Sequence, residues 1–350
     1  MTQSATLIQS HRSARAIFGP TVAISGDVIV VGAPYSIGSC QCGSGSVYLY
    51  VKPPGGWAGT ITETAILTPS DGVVNDYFGA SLAMTGNTVV VGAPGIYPYT
   101  KPGAAYVFVE PSTGWTNMTE TAKLLSTNSR NNDAMGQSVA IGGNTIIVGA
   151  PGAPYSVLDS GAAYVFVEPA GGWVTMSQTA ALGAANGSKG DGLGYGVAIS
   201  GNTALVGAPF RATNGVAYVF VAPPAGWKNM TETAELSRAG ASGRPAEFGF
   251  NVALDGGTAV VGSPELKIAF TFGAAFVFDE PAGGWVNTLT PNNTITGADA
   301  RVGAYSGTSV AIQGNIIVVG APAFYTYYAE EQKRSLGAFR AAGSVYVFSH

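Results

Sequence analysis

This chain is poor in charge, cysteine and histidine, and each shortage narrows the functions open to it. Charged residues make up 10% of its 350 positions and the net charge is −4. No basic field is present to hold a phosphate backbone, which argues against nucleic acid as a partner. The only two cysteines stand together as Cys40-Gln41-Cys42, without the second pair that a zinc site needs. Free thiols and a small strained disulfide both remain open for them. The histidines are His11, in a loop with Arg12 and Arg15, and the terminal His350. No nucleophile elbow, phosphate loop or zinc spacing is present, so no cofactor, metal site or catalytic residue is expected. No apolar run approaches the roughly 20 residues that cross a bilayer. The N-terminus lacks the charged-then-apolar pattern of a secretory leader, so the chain as given is expected to be soluble.

Glycine, proline and apolar residues are abundant instead: 50 Gly, 20 Pro and 46% hydrophobic positions, a turn-rich composition with little helix-forming material. An apolar run ending in Gly-Ala-Pro recurs as Val31-Gly32-Ala33-Pro34, Val91-Gly92-Ala93-Pro94, Val148-Gly149-Ala150-Pro151, Val206-Gly207-Ala208-Pro209, Val261-Gly262-Ser263-Pro264 and Val319-Gly320-Ala321-Pro322. A period of about 58 residues is too long for a helical solenoid and suits one small sheet per repeat.

The second repeat shows the plan. Phe78 to Met84 leads through Gly86-Asn87 to Thr88-Val89-Val90-Val91, and a two-residue Gly-Asn connection between β-prone segments predicts a tight hairpin. A third strand begins at Gly103, and Trp115 to Leu124 is expected to form a fourth after a Pro/Gly/Trp turn. Unbroken runs such as Val89-Val90-Val91 imply that both sheet faces are covered. The last repeat stops three strands in, while Met1 to Ile8 reads like Met118 to Leu125. The expectation is an all-β, six-bladed β-propeller of four-stranded antiparallel blades. It is a single domain over residues 1–350, closed by the N-terminal strand one plus three.

These residues resemble the FG-GAP repeat family, the repeat of the integrin α-subunit propeller and of many secreted bacterial proteins. Phe18-Gly19, Phe78-Gly79 and Phe248-Gly249 carry the first half of the motif; Met135-Gly136, Leu193-Gly194 and Ser306-Gly307 depart in the first residue only. Integrin-type propellers have seven blades, and many of their repeats place a calcium loop between the first two strands. Here that connection is two residues long and cannot supply about six to eight oxygens, so no calcium site is carried over.

The loops between strands two and three, and those between blades, vary in length and share one face. Tyrosines gather there: Tyr35, Tyr97, Tyr99, Tyr155, Tyr325, Tyr327 and Tyr328, beside Phe210. Exposed tyrosine offers large contact area at low entropy cost; the alternative is that these rings pack their own loops. The loop from Ala323 to Ala342 is the longest and the first candidate for contact. Asp76, Asp133 and Asp191 each stand two residues before a Phe-Gly-like pair; they can converge on a cation or sugar hydroxyl, or cap their own turns. Trp57, Trp115, Trp173, Trp227 and Trp285 recur at matching places, as a sugar platform or as rim packing.

The resulting expectation is a non-catalytic extracellular or cell-surface module. It would bind a protein or glycan through Tyr97, Tyr99, Tyr325, Tyr327, Tyr328, Asp76, Asp133 and Asp191. The alternatives are a polysaccharide lyase or hydrolase using His11 at the channel mouth, and an architectural unit that self-associates in a surface assembly. The sequons at Asn117, Asn186, Asn229 and Asn292 would carry glycans only after secretion through a eukaryotic pathway.

Overall fold

The computed structural model describes residues 3–10, 17–35, 43–95, 101–155, 157–238, 246–265, 272–297, 304–322 and 343–350. They form strands and no helix, so no helix is long and apolar enough to cross a membrane. Blade one is β2 (Val22–Ser25), β3 (Val28–Ala33), β4 (Ser46–Val51) and β6 (Ala65–Leu67). Blade two is β7 (Ser81–Thr85), β8 (Thr88–Ala93), β9 (Ala104–Val109) and β10 (Ala122–Leu125). Blade three is β11 (Ser138–Gly142), β12 (Thr145–Ala150), β13 (Ala162–Val167) and β15 (Ala180–Gly183). Blade four is β16 (Val197–Ser200), β17 (Thr203–Ala208), β18 (Val216–Val221) and β20 (Ala234–Leu236). Blade five is β21 (Val252–Asp255), β22 (Thr258–Ser263), β23 (Ala274–Asp279) and β24 (Asn293–Ile295). Blade six is β25 (Ser309–Gln313), β26 (Ile316–Ala321) and β27 (Ser344–Ser349). Within each blade neighbouring strands are antiparallel, and the molecule is a six-bladed β-propeller.

Each first hairpin turns on two residues, of which only the leading glycine has positive φ, 54–57° from Gly26 to Gly314. That is the pattern of a II′ turn, whose first central position belongs to glycine. Strand two of blades two, three and four is buried along its whole length, which explains the absence of polar alternation.

The cores lie between blades. Val30, Val47, Leu49 and Leu67 of blade one pack against Phe78, Val91, Tyr106 and Phe108 of blade two. Phe78 is fully buried and sits edge-on to Tyr106 and Phe108, with ring centroids 5.5 Å and 5.9 Å away. Burial of such a ring stabilises by about 2–3 kcal/mol.

The two glycines of the repeat motif answer one another. A Cβ on Gly32 would overlap the carbonyl of Gly79 in the next blade, and the same holds for Gly92 with Gly136, Gly149 with Gly194, Gly207 with Gly249 and Gly262 with Gly307. Backbone thus meets backbone at every internal junction. A strand-one hydroxyl then fastens three of them: Thr21, Ser81 and Ser138 donate to the carbonyls of Gly79, Gly136 and Gly194 at 2.7, 2.8 and 2.9 Å.

Two expectations need correction. The segment from Trp115 to Leu124 is not one strand. Its second half is β10, while Met118 reaches back to pair in parallel with Leu67 of blade one. β14 (Met176–Ser177) and β19 (Met230–Thr231) do the same to β10 and β15, and Thr288 does so to Leu236. The closure also differs. β1 (Ala5–Ile8) pairs in parallel with β5 (Gly59–Thr62) along blade one, not with β27, whose outer edge has no partner among the described residues. β1 does hold a fourth-strand place relative to blade one. Glu63 accepts the Ser10 amide at 2.9 Å as Glu120 accepts that of Ser70 at 2.9 Å. Each innermost strand packs on the next from β2 through to β25, yet no comparable contact joins β25 back to β2 among the described residues.

Candidate functional site

The loop face is stitched together blade by blade. The chain entering each new blade bonds to the base of the preceding blade's long loop: Phe78 N to Ser44 O at 2.8 Å, Met135 N to Pro102 O at 2.8 Å, Phe248 N to Asn214 O at 2.9 Å and Ser306 N to Phe272 O at 2.8 Å. Just before each of these residues the backbone enters the left-handed region, at Tyr77, Ala134, Glu247 and Tyr305 with φ of 53–57°. Such conformations cost about 1–3 kcal/mol for a non-glycine residue and persist only where surroundings enforce them.

Asp76, Asp133 and Asp191 are buried and capped alike. Oδ2 of each accepts an amide three residues earlier, from Val73, Arg130 and Ser188, at 2.7 Å in every case. The backbone carbonyl of each accepts an amide from its own blade's long loop, Gly95, Gly152 and Phe210. Asp76 is paired with Lys101 and Asp191 with Arg211 Nη1 at 2.8 Å, both cations coming from that same long loop. Blade five makes the link with the charges exchanged, Arg238 Nη2 to Glu265 Oε1 at 2.8 Å. These carboxylates therefore brace one loop against another within a blade. Asp133, only 2% exposed, makes no ion pair among the described residues; burial pushes its carboxyl up, the Arg130 amide and the Arg130 charge work against the rise, and the nearby Asp159 charge adds to it. Among the described residues no group of three or more His, Cys, Asp or Glu is placed to hold a metal.

Aromatic side chains occupy the same face. Tyr35, 49% exposed, stands edge-on to Tyr77 at 5.3 Å. Phe210, 38% exposed, stands edge-on to Tyr195 at 5.4 Å, and Tyr195 leans on Phe250 at 4.9 Å. Tyr155 folds inward instead: its ring fills the space above Gly183 and packs on the blade-three core. Tyr97, Tyr99, Tyr325, Tyr327 and Tyr328, the loop from Ala323, His11, Cys40 and Cys42 lie outside the described residues. Tyr77, Tyr195 and Phe250 escape a sequence reading because they flank the Phe-Gly pair and pass for part of the repeat.

The opposite end carries little of this. Trp115, Trp173 and Trp285 are 5–6% exposed, Trp227 packs against the cluster between blades three and four, and Trp57 packs against the blade-one cluster that includes Leu7 of the N-terminal strand, so the series is rim packing. The His350 ring lies 2.9 Å from Asp279 Oδ1 at the end of β23, remote from the loop face.

No curated protein sequence matches the chain. Many solved structures do. One is the WD40 β-propeller domain of Doa1, 14% identical, with a TM-score of 0.50 over 88% of this chain and 77% of that one; the likeness is one of fold. The family model described as the FG-GAP repeat matches residues 1–50, 61–108, 118–166, 176–220 and 290–348. Each matched stretch opens on an outermost strand and runs through the three inner strands of the following blade. With most of its length so matched, the chain belongs to the FG-GAP repeat family.

Proposed function

We infer that the chain is a non-catalytic recognition module, outside the cell or at its surface, that binds a protein or glycan partner through its loop face. The observation that carries this reading is the contrast between the two ends of the propeller. One end is made of uniform II′ turns and buried tryptophans. The other presents Tyr35 and Phe210 on aromatic neighbours, over loops braced by buried ion pairs. Aromatic anchors on a pre-organised backbone are what a recognition surface needs, because little entropy is lost on binding. The propeller fold is consistent with a protein-binding module, and the glycan alternative rests on the same aromatic chemistry.

A glycan array and a panel of immobilised extracellular proteins, probed with the labelled chain, test the reading. The double variant Tyr35→Ala, Phe210→Ala is expected to weaken any hit at least tenfold, about 1.4 kcal/mol, without moving the melting temperature much. Unchanged binding by that variant overturns the assignment of the face. Polysaccharide turnover that is lost in His11→Ala overturns the non-catalytic reading.

A further inference from the structure

The chain holds two Asn-Gly pairs, Asn186-Gly187 and Asn214-Gly215, and the fold treats them oppositely. In such a pair the backbone nitrogen of the second residue can attack the side-chain amide of the first, because glycine puts no Cβ in the way. Asn186 is exposed on the loop that leaves β15 for blade four, and the Gly187 amide makes a long bond, 3.3 Å, to Ala184 O. Gly215 is buried, and its amide is held at 2.9 Å by Arg211 O. The partners of the Asn186 side chain bear on the same reaction. Tyr218 of β18 donates its hydroxyl to Asn186 Oδ1 at 2.9 Å, and Asn186 Nδ2 donates to Oε2 of Glu235, in β20, at 3.2 Å. Burial raises the Tyr218 phenol well above its ordinary range, so the donor stays protonated. The junction between blades one and two has the same latch with other charges: Tyr106 donates to Asp71 Oδ1 at 2.9 Å, and Lys123 pairs with Asp71 Oδ2. Asp71-Gly72 stands where Asn186-Gly187 stands, and Lys123 lies opposite Tyr106 as Glu235 lies opposite Tyr218. Aspartate faces lysine in one latch, and asparagine faces glutamate in the other.

We propose that Asn186-Gly187 is a site of spontaneous deamidation, and that the reaction breaks its latch irreversibly. The Gly187 nitrogen bonds to Asn186 Cγ and gives its proton to water, the Cγ–Nδ2 bond breaks, and Nδ2 takes up a proton and leaves as ammonia. The cyclic imide that remains adds one water at either carbonyl. The product is aspartate or, with the main chain rerouted through the side chain, isoaspartate. Negative charge gathers on Oδ1 during the attack, and the Tyr218 hydroxyl donates to that atom, a single-donor form of oxyanion stabilisation. The product no longer suits its surroundings. A carboxylate at position 186 keeps the Tyr218 bond but has no proton for Glu235 and meets like charge there, with Glu232 close by on the Ala185 amide at 2.8 Å. Among the described residues the nearby cations are committed elsewhere, Arg211 to Asp191 and Lys189 to Asp159. The loop loosened in this way carries Lys189 and Asp191, so the change reaches the bracing of the loop face. It stands whatever that face binds.

Peptide mass spectrometry reads the site on the full chain, made in bacteria so that the Asn186 sequon stays bare and then kept in mildly alkaline buffer at physiological temperature. Conversion of amide to acid is expected at Asn186 about tenfold faster than at Asn214, or more. Gly187→Ala, where a Cβ comes no closer than 3.3 Å to any neighbour, and Tyr218→Phe are each expected to slow it about tenfold. Circular dichroism checks that both variants are folded. Equal rates at Asn186 and Asn214, or a rate at Asn186 indifferent to Gly187→Ala, overturns the site. An equal or faster reaction in Tyr218→Phe overturns the part given to the phenol. Asn186→Asp measures the consequence directly and is expected to lower the melting temperature by about 2–4 °C. Adding Glu235→Lys rebuilds the Asp71 and Lys123 arrangement and is expected to restore it. A melting temperature unmoved by Asn186→Asp, or a loss that Glu235→Lys does not repair, overturns the broken latch.

Discussion

The junction between blades three and four and the seam between blades six and one are assembled from the same residue types, yet only the first is closed. At the junction, Gly149 lies on the Gly194 carbonyl, the Ser138 hydroxyl bonds it at 2.9 Å, and Ile147 and Val165 are buried against Tyr218 and Phe220. At the seam, Gly320 and Gly19 have no such partner among the described residues, and Val345, Val347, Val22 and Ile24 are exposed. The motif alone therefore does not make a junction. It makes one when backbone approaches backbone and both apolar faces leave water together.

The largest contrast is expected from the motif phenylalanines. Phe78→Ala, at a filled junction, should cost about 3–5 kcal/mol, while Phe18→Ala, on the seam side, should cost about 1 kcal/mol; chemical denaturation of both variants measures the gap. Equal losses would mean that the seam is packed in solution.

The glycines come next. Gly149→Ala drives a methyl into a main-chain carbonyl and should destabilise by about 3 kcal/mol, whereas Gly320→Ala overlaps only the Ser309 hydroxyl, which can rotate away, and should cost under about 1 kcal/mol. Thermal melts of the pair would erase the distinction if they fell together.

A smaller difference separates Asp133 from its paired counterparts. Asp133→Ala leaves the Arg130 amide without its acceptor and should cost about 1–2 kcal/mol. Asp133→Asn keeps an acceptor and removes a charge that burial disfavours. Because the folded pKa is raised, the charge penalty is fully present above that value and absent below the ordinary carboxylate range. The asparagine variant should therefore match or exceed the parent's stability near neutral pH. Its advantage should fade as the solution is acidified through the folded pKa.

The smallest effect belongs to Asp71, which joins blade one to blade two. Burial works to raise its carboxyl, but bonds from Lys123 and Tyr106 outweigh it and hold the group below its usual range. That stabilisation is present above the unfolded pKa and is lost as pH falls through the folded one. Asp71→Asn should thus lower the melting temperature near neutral pH and converge with the parent in acid.

The blades were legible because their signals are local: an apolar run, a turn glycine and a motif glycine recur in order. The meaning of the motif glycines was not, since Gly32 and Gly79 explain each other only across two blades. The split of the Trp115 to Leu124 segment was hidden for a related reason, as Met118 answers to Leu67 of the preceding blade. The loop face was half legible. The turn-capping role of Asp76 and Asp191 followed from side-chain chemistry, but their partners Lys101 and Arg211 sit on other loops, with no sequence signal linking them. Closure was the least legible, because the pairing of β1 with β5 joins segments a whole blade apart and no local signal says which edge of β1 is used.

Because every matched stretch of the family straddles two sheets, adding or losing one such unit never orphans a strand in the interior. The scar always moves to the two ends, which stay complementary whatever number of units lies between them.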